Sequence, residues 1–261
     1  MGKKLKLWFD SDLAKLLGEK ILKVEPKFDN KQFIRRIKAQ IAPLELKGRI
    51  KVFGEEIHNN LPGEYKDQIK KLLKILGPEN PNETGMFTDY YWILPIAQIV
   101  EDHGVGDFKL SMGALEEITK RSTGEWAIRP YLNKYPKKTQ KQMKSWAKNK
   151  NFHVRRLTSE GIRTNLPWAM KMPQFINDPT PIIEIISLLK DDPSRYVQKS
   201  VANNINDLLK VNYPVAIDLV TTWSKKPSPS CKWIIKHALR NLIKKEDHKA
   251  IAIIKQITDM K

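Results

Sequence analysis

The sequence predicts an all-α fold built from paired helices. Three observations carry that expectation. Apolar residues recur at helical spacing in segment after segment. No convincing alternating run bounded by tight glycine turns announces a strand. The stretches around His153, Tyr196 and Trp233 align when the chain is stepped by 43 and then 37 residues, a period that belongs to stacked helical hairpins.

The elements follow in order. Lys31 to Ile41 places Phe33, Ile34, Ile37 and Ile41 on one face. Tyr65 to Leu76 repeats apolar residues at Ile69, Leu72, Leu73 and Leu76, and Gly77-Pro78 stops it. Trp92 to Val100 is a third helix with Pro95 near its start, and Phe108 to Thr119 a fourth, with Leu110, Ala114, Leu115 and Ile118 on one side. Glu125 to Asn133 and Thr139 to Ala147 come next.

From there the pattern turns repetitive. Asn151 to Arg163 reads as a helix, followed by a Pro167-Trp168 linker. Pro181 to Lys190, Tyr196 to Lys210, Pro214 to Trp223, Lys232 to Lys245 and His248 to Thr258 complete the chain. Asp192-Pro193-Ser194 suits the start of the helix it precedes. Hairpins of this kind, of the HEAT or armadillo type, cannot bury their apolar faces alone. They stack into a curved solenoid whose concave side is lined by one helix of each pair.

Composition bounds the function. The chain has 261 residues, 41% of them hydrophobic and 29% charged, which is globular rather than disordered. One cysteine, Cys231, excludes an internal disulfide and a thiolate cluster, and fits a small buried hydrophobe. No apolar run approaches the length of a membrane span, and the first residues lack a signal-peptide core. The expectation is a soluble intracellular protein.

Charge is the first positive clue. The 47 Lys and Arg residues exceed the 29 acids by 18. Lys120 to Arg163 holds 13 basic residues against Glu125 and Glu160 only. Such a field attracts a polyanion through salt-dependent phosphate contacts. Surface lysines without a partner remain the plain alternative.

Candidate chemistry is narrow. The five histidines, His58, His103, His153, His237 and His248, show no metal-ligand spacing, and no phosphate loop, dinucleotide fingerprint or nucleophile elbow is present. Catalysis would have to come from carboxylates. Glu160, Asp207 and Glu125 stand out because their surroundings are so basic. At 100° per residue, Arg156, Glu160 and Arg163 fall on one side of their helix, and Lys199, Asn203, Asp207 and Lys210 fall opposite the apolar stripe Val197, Val201, Ile205 and Leu208. The plain alternative is an i,i+4 ion pair between Arg156 and Glu160, with Asp207 a solvated helix residue. Trp168 is either a plug under its loop or an exposed face that stacks on a sugar or base.

The stretch His153-Val-Arg-Arg-Leu-Thr-Ser-Glu160-Gly-Ile-Arg163, then Leu166-Pro-Trp168, then Asp192-Pro-Ser-Arg-Tyr-Val-Gln-Lys-Ser-Val-Ala-Asn-Asn-Ile-Asn-Asp207, resembles the AlkC branch of the DNA alkylation repair glycosylases. The likeness is dense from about Phe108 to Trp223 and thin over the first 100 residues. It implies a right-handed α-solenoid of HEAT-like hairpins with a concave basic groove. It implies one domain over 1–261, with divergent helices over 1–106 and motif-bearing repeats over 107–261. The immunoglobulin-like domain that some members append is not expected here.

The same resemblance implies an activity. The family hydrolyses the N-glycosidic bond of cationic alkylated bases such as 3-methyladenine in duplex DNA, without a deep base-flipping pocket. Asp207 and Glu160 match its active-site acids, and Glu125 a further acid near the lesion. Trp168 matches the aromatic beside the lesion nucleotide. Arg129, Arg155, Arg156 and Arg163 are candidates for phosphate contacts. Asn203 and Asn204 belong to the motif, either at the DNA or as hydrogen bonders inside the repeat. No cofactor or metal, no membrane and no obligate protein partner is implied. The expectation is a monomer acting on alkylated DNA in a prokaryotic cytoplasm. Two other readings stay open: a HEAT-like nucleic-acid binder without catalysis, and a protein-interaction scaffold.

Overall fold

In the computed structural model, which describes residues 3–85, 87 and 89–259, the regular structure is helical, and no described residue lies in a strand. The backbone groups into two compact units, Met1–Lys134 and Tyr135–Lys261.

The first unit contains α1 (Ser11–Leu22), α2 (Asn30–Gln40), α3 (Leu46–Asn60), α4 (Tyr65–Leu73), α5 (Leu94–His103), α6 (Phe108–Thr119) and α7 (Arg129–Lys134). Side chains fix several starts: Asp10 accepts from the backbone N–H groups of Asp12 and Leu13, Asp29 from Gln32 and Asp107 from Leu110. Sequential helices pack as pairs, α1 on α2, α2 on α3 and α5 on α6, and α3 packs past α4 onto α5. Phe9, Phe33 and Phe53 meet edge to face in the core of this unit.

Glu125 to Asn133 departs from the sequence expectation of one continuous helix. Residues 125–128 are turns, and α7 begins only at Arg129. Thr123 explains the delay: its Oγ1 accepts the Glu125 N–H at 3.2 Å and so ties the backbone into a local turn. Pro130 then sits in the first turn of α7, where its missing N–H costs nothing.

The second unit contains α8 (Pro136–Trp146), α9 (Phe152–Glu160), α10 (Gln174–Asn177), α11 (Thr180–Ser187), α12 (Arg195–Val211), α13 (Tyr213–Ser224), α14 (Pro229–Ile243) and α15 (His248–Asp259). Within it α12 packs between α9 and α14, while α11 touches α8 and α13 touches α15. The helices therefore form two layers, and successive hairpins contribute one helix to each, as HEAT-like repeats do.

The 43- and 37-residue steps are visible in this unit. α9, α12 and α14 are the equivalent helices, and each is started by a side-chain cap from Asn151, Ser194 or Ser228. The first two aligned positions touch, His153 meeting Tyr196 edge to face, and the third, Trp233, lies under the Arg195 guanidinium at 4.2 Å. Polar bonds also cross from helix to helix. Asn204 donates to the Ser159 carbonyl, Asn206 to the Ala238 carbonyl and Arg240 to Asn203 Oδ1. Among the described residues no helix is long and apolar enough to cross a membrane.

Candidate active site

Two carboxylates of the second unit converge toward the C-terminal ends of α9 and α12. Asp207 is the thirteenth residue of α12, and Glu160 is the last residue of α9. Both are buried, with 3% and 5% of their surface exposed. A buried carboxylate needs a compensating partner, and here the two share one. The Arg163 guanidinium places Nε and Nη2 each 2.8 Å from Asp207 Oδ2, and Nη1 makes a short hydrogen bond to Glu160 Oε1.

Arg163 reaches both by leaving the helix. The sequence expectation carries the helix through Arg163, yet α9 ends at Glu160 and the next residues form a turn. The Arg163 N–H bonds back to the Glu160 carbonyl, which bends the chain over the end of α9. Pro167 lies ahead and restricts its predecessor to extended backbone. The guanidinium is thereby carried toward α12 rather than along the α9 face.

The second oxygen of Glu160 is also occupied. Ser200 Oγ donates to Oε2 at 2.6 Å, and Arg156 Nη2 stands 3.5 Å away. Arg156 lies against the Tyr196 ring, 4.7 Å from its centroid. Burial alone would push the Glu160 carboxyl up. The positive charges of Arg156 and Arg163, with the hydrogen bonds from Ser200 and Arg163, outweigh it and hold the group below the ordinary glutamate value. Arg163 is burdened by burial and rescued by Glu160 and Asp207, which keep its guanidinium firmly protonated.

Asp207 presents its other oxygen differently. Among the described residues, Lys210 Nζ at 3.6 Å is the partner of Oδ1, and that lysine side chain is 53% exposed. Asp207 and Lys210 border a hollow of about 460 Å³ whose wall also includes Thr164, Lys171, Met172 and Ile176. The linker from Thr164 to Pro173 supplies much of that wall. Leu166 and Met172 anchor it by burial, whereas Trp168 between them is 55% exposed. The Trp168 backbone has φ +57, in the left-handed region that bulky residues avoid.

Comparison with known proteins gives the family. A family model described as "DNA alkylation repair enzyme" matches residues 119–242. The uncharacterized protein YhaZ of Bacillus subtilis is 35% identical over 251 residues, which cover 95% of this chain and 67% of that protein. The solved structure of Pseudomonas fluorescens alkylpurine DNA glycosylase AlkC, bound to DNA containing an abasic site analog, superposes with a TM-score of 0.87 at 32% identity. The match covers 97% of this chain and 69% of the AlkC chain. The chain belongs to the DNA alkylation repair enzyme family.

Seen in this alkylation repair chain, the residues singled out from sequence fall into groups. Glu160, Asp207, Arg156 and Arg163 come together. Asp207 is not the solvated helix residue that the plain alternative describes, and Trp168 is not a plug beneath its loop. Arg155 stands apart, at the other end of α9. Its Nε and Nη2 clasp Asp192 at 2.6 and 3.0 Å, and Nη1 donates to the carbonyls of Asn149 and Lys150. Asn204 is fully buried on the Ser159 carbonyl, and Asn203 accepts from Arg240. In the first unit, Glu125 is buried and accepts from Thr123 Oγ1 at 3.0 Å, and Arg129 is completely buried at the start of α7.

Sequence reasoning passed over Ser200, Lys210 as a partner of Asp207, and Asp192 as the partner of Arg155. Ser200 carried a usable signal. It lies seven residues before Asp207, two helical turns, and so shares the face on which the site is built. Among the described residues no group of three His, Cys, Asp or Glu side chains is placed to hold a metal ion.

Proposed function

We infer that this protein is an alkylpurine DNA glycosylase acting on cationic bases of the 3-methyladenine type in duplex DNA. The observation that carries the reading is the pair of buried carboxylates, Glu160 and Asp207, tied to one guanidinium at the edge of a hollow in a strongly basic chain. An acid on a surface meant for phosphate is repelled by it. Such a group is worth keeping where positive charge develops during reaction.

N-glycosidic hydrolysis of a cationic base has that property. The base is already a good leaving group. It takes the bonding electron pair from C1′ and departs neutral, and the sugar becomes oxocarbenium-like. Asp207 faces that charge through Oδ1, orients a water molecule and receives its proton as the hydroxyl adds to C1′. Glu160 assists, and Glu125 is a further acid for the lesion. No acid is needed to protonate the base, so no enclosing pocket for a flipped base is required. Trp168 offers an exposed aromatic face to the lesion nucleotide. The basic run from Lys120 to Arg156 supplies the field for the phosphate backbone. Membership of the family and the likeness to the DNA-bound AlkC support DNA as the partner. The protein acts as a monomer, in a prokaryotic cytoplasm, on the chromosome.

A binder without catalysis would account for the charge but not for two carboxylates buried within it. The test is release of methylated bases from alkylated duplex DNA, resolved by chromatography. Release of 3-methyladenine supports the reading. Tight, salt-sensitive binding with no base released overturns it.

A further inference from the structure

We propose that Arg163 is a positioning residue rather than a phosphate contact: it transmits the anchoring of Glu160 by Ser200 to Asp207, and so fixes the carboxylate of a residue that borders the hollow. This rests on the glycosylase reading, in which Asp207 meets the reacting sugar.

Arg163 spends its two outward edges on two different carboxylates, Nε and Nη2 on Asp207 and Nη1 on Glu160. A guanidinium is planar and rigid, so fixing one edge fixes the direction of the other. Glu160 is itself immobilised. Oε1 is taken by Arg163, and Oε2 by Ser200 and Arg156. Ser200 is buried on α12, the helix that carries Asp207. The path from α12 through Ser200, Glu160 and Arg163 returns to α12 at Asp207, a closed loop of side chains.

A closed loop leaves Asp207 one free direction. Its Oδ2 belongs to Arg163, Oδ1 has the half-exposed Lys210 as its partner among the described residues, and Asp207 borders the hollow. Glu160 has no comparable free oxygen, and it does not line the hollow. Glu160 therefore acts through Arg163 and not on the sugar. A phosphate contact would need an Arg163 edge turned outward, whereas both edges described here point at carboxylates within the unit.

The charged groups facing the two acids are Arg156 from α9, Arg163 from the turn after it and Lys210 from α12. Removing Arg163 takes away one of the positive charges that hold the Glu160 carboxyl down, which favours its protonation. A positioning role thus predicts a changed pH dependence, and a phosphate role predicts a changed salt dependence.

The experiment measures single-turnover base release from alkylated duplex across pH, with duplex affinity measured across salt, for wild type, Arg163→Gln, Arg163→Lys and Ser200→Ala. For Arg163→Gln the expected rate at pH 7 is lower by on the order of 100-fold, with the acid limb of the profile moved upward and the salt slope of binding unchanged. Arg163→Lys, which keeps the charge but lacks the fork, recovers the limb and only part of the rate. Ser200→Ala moves the limb the same way by a smaller amount, and decides the matter if Arg163→Gln does not fold. A wild-type rate and limb in Arg163→Gln, or a salt slope reduced by about 0.9 with the limb in place, overturns the proposal. If wild type releases no base at any pH, the glycosylase reading is what has failed. An active wild type with an indifferent Ser200→Ala and Arg163→Gln defeats only the role given to Arg163.

Discussion

Two arginine–aspartate bridges join the first motif-bearing hairpin to the next, one at each end of the same helix pair. Arg155 clasps Asp192 where α9 and α12 begin, and Arg163 clasps Asp207 where α9 stops. The residue types are the same, and all four side chains are largely buried. What surrounds them differs. Arg155 finishes its hydrogen bonds on two backbone carbonyls, and Asp192 Oδ1 also accepts the Ser194 N–H. Every partner there is part of the scaffold. Arg163 instead meets a second carboxylate, and Asp207, whose Oδ1 faces the half-exposed Lys210, borders a hollow. The first bridge is complete within the fold. The second is an arrangement with one direction left open, and that open direction is what separates a site from a staple.

The comparison breaks most visibly at the staple. Arg155→Ala strands Asp192 without its ion partner, and removing one member of a buried pair costs about 3–5 kcal/mol. Chemical denaturation should register that loss, while base release per folded molecule stays at the wild-type rate. A large drop in intrinsic rate would place Arg155 at the DNA after all. Asn204→Ala comes next. It removes the donor to the Ser159 carbonyl from a fully buried position, and about 1–3 kcal/mol of stability should go with it. Unchanged stability with weakened DNA binding would reverse its assignment as a repeat-internal hydrogen bonder.

How much of this was legible beforehand can be judged residue by residue. Phe108–Thr119 was readable to the residue, because Asp107 caps it and the apolar spacing is regular. The 43- and 37-residue steps located α9, α12 and α14, since each carries a ring residue, His153, Tyr196 or Trp233, at the repeated position. α1 and α3 were not singled out. Glycines at 18 and 48 interrupt the look of a helix, although Gly18 is needed where Asn30 packs against it. The motif drew attention to Glu160 and Asp207, but their sharing of Arg163 was not legible. Helical angles put Arg163 on the face of α9, and only the turn after Glu160 swings it across to Asp207. The fates of Arg155 and Arg163 were equally hidden. Both read as basic residues near Glu160, and partners 37 and 44 residues away decide between them.

Acid offers a milder way to sharpen the contrast. The folded Glu160 carboxyl lies below its ordinary value, so it binds fewer protons than the unfolded chain. Its contribution is fully present above the unfolded value near pH 4.5 and is lost as pH falls through the folded value. Melting temperatures taken downward from pH 7 should therefore fall more steeply in wild type than in Glu160→Gln below about pH 4.5. Parallel curves would mean that Glu160 is not held as described. The smallest effect belongs to Lys210, which is half exposed beside Asp207. Lys210→Ala should alter stability by no more than about 0.5 kcal/mol and lower the salt slope of duplex binding by about one. No change in slope would leave that lysine outside the phosphate path.

The central claim is that the open bridge performs chemistry and the closed one does not. Asp207→Asn and Asp192→Asn test it directly, each assayed beside wild type for release of 3-methyladenine from alkylated duplex DNA, with the folded fraction measured in the same samples. The account predicts that Asp207→Asn binds duplex DNA and releases almost no base, whereas Asp192→Asn melts earlier but keeps the wild-type rate per folded molecule. Base release at the wild-type rate from a folded Asp207→Asn protein would contradict it.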